Sequence, residues 1–120
     1  MMAEKVSYDF PGRLERARRK MIENGFDALY INAGPNMRYF SGWSAYLGGW
    51  PIWVSALILP ADGEPVFFLS KMHHDILRCS ASILRDGDVR VYMDGEDVAG
   101  PLKALLQEKG LLSGRLGVEE

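Results

Sequence analysis

A single cysteine, Cys79, stands in the 120 residues, which excludes an internal disulfide and fits a reducing compartment. No stretch approaches the roughly 18 apolar residues that a bilayer-crossing helix needs, and no signal-type apolar run follows Met1-Met2-Ala3-Glu4-Lys5. Charge of one sign is scarce as well: a net charge of −2 exerts no global pull on nucleic acid or an anionic membrane. Glycines are present but wrongly spaced for phosphate cradling. Gly34-Pro35-Asn36 is not a Walker A loop, and neither Gly42 nor Gly48-Gly49 builds the three-glycine dinucleotide fingerprint. The expectation is a cytoplasmic, soluble domain that engages neither nucleic acid nor membrane.

With 48% apolar and 25% charged residues the composition is that of an ordinary globular protein. A chain this long forms about one domain and buries roughly two-thirds of its unfolded surface. The most informative stretch runs from Ala28 to Trp43. Ala28-Leu29-Tyr30-Ile31 suits a covered strand, Gly34-Pro35 breaks it and opens a helix, and Ser41-Gly42 stops that helix after about two turns. A strand feeding a helix at a sheet edge is a common ligand corner in α/β proteins, and equally a plain structural one.

Elsewhere, residues 10–24 read as a helix with Leu14, Ala17, Met21 and Ile22 on its apolar face and Gly25 beyond its end. Residues 26–32 read as a strand, 35–41 as the short helix, and 43–53 as a loop. Strands over 54–59 and 66–69 are joined by a turn at Asp62-Gly63. A helix over 71–82, a strand over 89–92, a helix over 101–109 with Leu102, Leu105 and Leu106 inward, and a strand over 116–118 complete the pattern. Strands alternating with helices predict an α/β layered domain, and the hairpin predicts a mixed sheet.

The search for chemistry is mostly negative. His73 and His74 are neighbours, about 100° apart on a helix, so they do not converge on one ion; they read as partly exposed residues of a helix start. Cys79 lies too far along the same helix to join His73 and Asp75 in a nucleophile-and-base constellation, and reads as a small buried hydrophobe. Asp86 and Asp88 flank Gly87 as turn residues. Arg13, Arg16, Arg18, Arg19 and Lys20 form a basic cluster, read as solvated helix surface with Glu15 and Arg19 paired one turn apart. The loop holds Trp43, Tyr46, Trp50 and Trp53, an aromatic density that suits either core packing or an interface or substrate wall.

Three groups of residues carry a resemblance. They are Arg13-Leu14-Glu15-Arg16-Ala17 with Gly25-Phe26-Asp27-Ala28-Leu29; Pro35-Asn36-Met37-Arg38-Tyr39-Phe40-Ser41-Gly42-Trp43; and Leu57-Ile58-Leu59-Pro60-Ala61-Asp62-Gly63-Glu64-Pro65. In order and spacing they resemble the N-terminal domain of the creatinase, prolidase and aminopeptidase P family. Gly114-Arg115-Leu116-Gly117-Val118-Glu119-Glu120 resembles a late strand of that domain.

The resemblance implies a three-layer, ribonuclease H-like α/β domain with a mixed β-sheet flanked by helices. It implies that residues 1–120 are the N-terminal part of a longer protein, whose "pita-bread" catalytic domain lies outside this chain. That domain would hold two divalent metal ions (Mn, Co or Zn) through two Asp, one His and two Glu, and a metal-bridged hydroxide would attack the scissile bond of an Xaa-Pro peptide. By the resemblance, none of those ligands lies here, so this chain by itself is expected to lack catalytic residues and a metal. Its implied role is support of a homodimer and of its own catalytic domain, and shaping of substrate access. Arg38, Tyr39, Trp43, Tyr46, Trp50 and Trp53 are the expected wall or interface, with Arg38 suited to a substrate carboxylate. Two alternatives stay open: a creatinase-like hydrolase of non-peptide C–N bonds, and a peptidase-like module that has lost its metal and binds protein.

Overall fold

The computed structural model describes residues 8–44, 54–78, 88–93 and 97–118. Its first helix, α1 (Phe10–Asn24), has its start and stop written locally. The Asp9 carboxylate accepts a hydrogen bond from the Gly12 N–H at 3.0 Å, capping an otherwise open donor. At the other end Gly25 takes the left-handed conformation (φ 72°), and the N–H groups of Gly25 and Phe26 return to the carbonyls of Ile22 and Met21. Met21 is buried on the inner face, with Leu14 and Ala17 packed beside it. Ile22, expected on that face, is 69% exposed. Adjacent helical positions point about 100° apart, so Met21 and Ile22 cannot share one narrow stripe.

The first strand, β1 (Ala28–Asn32), starts two residues later than the apolar run suggests. Phe26 is still bonded to the end of α1, and the Asp27 N–H donates to the Arg115 carbonyl at 2.7 Å, outside the ladder. Helix α2 (Pro35–Ser41) follows where the sequence places it, with Pro35 in the first turn and Gly42 (φ 82°) at its end. Strands β2 (Ala56–Pro60) and β3 (Val66–Ser70) pair antiparallel as the expected hairpin. Arg18 of α1 reaches this turn, donating to the carbonyls of Pro60 and Gly63. That cation is therefore not plain helix surface, whereas Glu15 and Arg19 pair on the exposed side as expected.

Helix α3 (Lys71–Arg78) leads toward β4 (Asp88–Tyr92); Cys79, Asp86 and the rest of the expected 71–82 helix lie outside the described residues. Helix α4 (Ala99–Glu108) begins two residues before Pro101 and ends at Lys109-Gly110, and β5 (Leu116–Val118) closes the described fold. Asp88 is the first residue of β4 rather than a turn residue. Its carboxylate bonds Arg90 at 2.8 Å and Lys109 at 2.7 Å, tying the strand to the end of α4.

Among the described residues the five strands form one mixed sheet in the order β4-β3-β2-β1-β5, with β1·β5 and β3·β4 parallel and the two central pairs antiparallel. Strand alternation divides the core. Ile31, Leu57, Leu59, Phe67 and Leu69 face one layer with Met21 of α1, Met37 of α2 and Leu77 of α3. Ala28, Ala56, Ile58, Val66 and Phe68 face the other, where Leu105 of α4 and Leu111 pack. Every side chain of β2 and β3 is buried, as expected for central strands covered on both faces. This is the layered α/β arrangement with a mixed sheet that the alternation of elements and the hairpin predict, in the three layers that the resemblance implies.

Candidate functional site

Seven residues of α2 sort into separate faces by helical geometry. Met37 and Ser41, four apart, are fully buried, and the Ser41 hydroxyl donates to the Met37 carbonyl at 2.7 Å. Asn36 and Phe40, also four apart, border a groove; Arg38 is exposed and Tyr39 is 43% exposed. The helix therefore presents a cation and an aromatic ring outward, from a body locked into the core.

The groove, of about 520 Å³, lies beside β1 and α2. The described part of β5 pairs with β1 along Ala28, Leu29 and Tyr30. Phe26, Leu29, Phe40, Leu116 and Val118 give the space a mainly apolar lining. Tyr30, on the opposite face of β1, packs against the layer that holds Leu105 and Tyr92, where burial, helped by nearby Tyr92, pushes its hydroxyl above the usual tyrosine range. The Arg115 guanidinium stands over the Phe26 ring at 4.9 Å.

Beside this face lies a contact that reading the basic cluster as solvated surface misses. The Arg13 guanidinium sits 4.2 Å from the centre of the Tyr39 ring, with Tyr8 and Phe10 at 5.1 and 5.3 Å. One of its N–H groups also donates to the Tyr39 carbonyl at 2.7 Å. The available signal was the spacing of Tyr8, Phe10 and Arg13 about one helical turn, but their partner lies 26 residues on and no local pattern names it.

Of the other expected site residues, Trp43 is 9% exposed and packs edge-to-face on Phe67, with centroids 5.6 Å apart. It is the inner end of the aromatic segment and presents little surface. Tyr46, Trp50 and Trp53 lie outside the described residues. His73 is not partly exposed, as its place at a helix start suggested, but 1% exposed. It sits where α3 meets the sheet, its Nδ1 2.5 Å from the Ser55 hydroxyl, and its backbone N–H donates to Ser70 Oγ at 3.3 Å. Among the described residues no three His, Cys, Asp or Glu side chains are arranged to hold a metal ion, and no helix is long and apolar enough to cross a membrane. The arrangement offers recognition surfaces: an exposed arginine, a clamped tyrosine and an apolar groove.

Comparison with known proteins agrees with this architecture. The family model for the creatinase/prolidase N-terminal domain matches residues 13–120. The ectoine hydrolase of Halomonas elongata is 27% identical over 92% of this chain and 29% of its own length. The dipeptidase PepE of Mycobacterium ulcerans superposes with a TM-score of 0.67 and 27% identity over 88% of this chain and 28% of its own. The N-terminal domain of an Xaa-Pro dipeptidase from Lactobacillus brevis shares the fold, with a TM-score of 0.72 at 15% identity, over 89% of this chain and 75% of its own. The chain thus spans less than a third of the first two relatives. With its strand order, its two-sided core and a family match over nearly its whole length, it belongs to the creatinase/prolidase N-terminal domain family.

Proposed function

We propose that this chain is the N-terminal domain of an Xaa-Pro dipeptidase or aminopeptidase, where it supports a dimer and forms part of the substrate entrance without supplying catalytic groups. The observation carrying this reading is the outward face of α2. Arg38 is a fully formed guanidinium on a rigid helix, matched in shape to a peptide's terminal carboxylate. Tyr39 beside it offers a ring, and proline-containing substrates present apolar surface for such a ring to cover. Two divalent metal ions and their ligands belong, in this proposal, to a catalytic domain beyond residue 120. Among the described residues no three His, Cys, Asp or Glu side chains are placed to hold a metal ion, and the proposal assigns none of them a catalytic step. The segment holding Tyr46, Trp50 and Trp53 is proposed as the contact with a partner subunit.

A second reading, a hydrolase of small non-peptide substrates, is favoured by the match to an ectoine hydrolase at the same 27% identity as the dipeptidase. One experiment addresses both. Domain and catalytic domain together, loaded with Mn²⁺ or Co²⁺, are assayed on Xaa-Pro dipeptides and on ectoine, alongside the isolated 120-residue chain. Cleavage of the dipeptides by the longer protein only is the expected result. Turnover of ectoine alone transfers the proposal to the second reading, and cleavage by the isolated chain overturns its non-catalytic role.

A further inference from the structure

Arg13 makes two different contacts to the same residue of α2, and together they fix more than a helix end. The carbonyl of Tyr39 lies in the last turn, where carbonyl oxygens lack partners within the helix; Arg13 supplies one from α1, at 2.7 Å. The same guanidinium covers the Tyr39 ring at 4.2 Å. The other side of the assembly is closed by Phe10, whose ring tip would stand 3.2 Å from a Cβ at Gly42, so the chain leaving α2 passes tightly beneath it. The Tyr39 ring in turn meets Phe40 edge-to-face at 5.0 Å and 82°, and Phe40 borders the groove.

A 43% exposed tyrosine contributes little to folding by burial, and left alone its ring samples several rotamers. Here its backbone and ring are both held by one planar cation. Lysine, a compact point charge with no flat face, cannot stack while donating to the carbonyl.

We propose that Arg13 is a positioning residue: it holds the exposed Tyr39 ring, and through it the Phe40 edge of the groove, in the orientation that meets substrate. This rests on the reading above that the outward face of α2 borders the substrate entrance. The test has two readouts. In the 120-residue chain, the side-chain NMR signals of Arg13 are ring-shifted, and Tyr39→Leu removes the larger part of that shift, leaving the smaller part due to Tyr8 and Phe10, while far-UV dichroism keeps its folded shape. In the longer enzyme, Arg13→Lys raises KM for an Xaa-Pro dipeptide about fivefold with kcat within about twofold, the loss of one stacked cation–π contact.

Unshifted Arg13 signals overturn the clamp. Lost ring shifts together with an unchanged KM overturn its positioning role, and Arg38→Ala then separates the causes. If Arg38→Ala raises KM, the entrance reading stands and only the role of Arg13 fails. If neither variant moves KM, the entrance reading itself fails. A fall in kcat and KM together with a lowered melting temperature assigns Arg13 to structure alone and likewise overturns the proposal.

Discussion

Replacing Phe67 by alanine tests the account of the core most directly. Phe67 is fully buried in β3, which lies between β2 and β4 in the sheet, and it is paired across the ladders with Leu57 and Val89. Its ring supports Trp43 edge-to-face. A buried phenylalanine removes about 150–250 Å² from water, worth about 4–6 kcal/mol at about 25 cal/mol per Å². The unfolded chain already hides part of that area, which lowers the figure. Loss of the aromatic pair adds about 1 kcal/mol. The expected cost is about 4 kcal/mol, within the range for phenylalanine-to-alanine cavities and a large share of the 5–15 kcal/mol that stabilises a typical domain. For a domain of this length that lowers the melting temperature by roughly 15–25 °C. Phe67→Leu keeps most of the volume and should cost about 1–2 kcal/mol. The exposed Ile22→Ala should stay within about 0.5 kcal/mol. Urea titration followed by far-UV dichroism reads all three. A loss below about 1 kcal/mol for Phe67→Ala, or an equal loss for Ile22→Ala, refutes the burial argument.

Two further outcomes follow from particular contacts. Gly42→Ala places a Cβ at φ 82° and 3.2 Å from the tip of Phe10; the left-handed conformation alone costs about 1 kcal/mol, and chemical denaturation should show at least that loss. Asp88 titrates below its ordinary 3.8 because Arg90, and then Lys109, hold its carboxylate against the opposing effect of burial. A depressed folded pKa contributes stability that is present above the unfolded pKa and lost as pH falls through the folded one. Wild-type stability should therefore fall as pH drops below about 4, and Asp88→Asn should flatten that part of the curve; unchanged acid sensitivity in thermal melts refutes the assignment.

Elements with their stop signals inside them are readable without a structure. Pro35 and Gly42 bracket α2 to the residue, and Gly25 marks the end of α1. The burial of β2 and β3 on both faces follows from two short apolar runs joined at Asp62-Gly63. The site is less legible. Arg38 and Tyr39 stand out as exposed members of an aromatic helix, yet that Tyr39 is held by Arg13 depends on how α1 crosses α2. His73 is polar by composition and buried by context, because β2 brings Ser55 to its Nδ1 from 18 residues away.

The sequence by itself determined the kind of elements, their boundaries within about two residues where the described residues show both ends, and the family. Those depend on caps, turns and period-two alternation, all of which act over a few residues. The tertiary structure alone decided the strand order, the insertion of β1 between β2 and β5, and the groove between α2 and that edge of the sheet. It also decided which cations are surface and which are partners: Arg19 remains on an exposed face, while Arg13 and Arg18 leave the same helix to hold α2 and the β2–β3 turn. Such contacts join residues tens of positions apart, and their energies exist only once packing has brought both ends together.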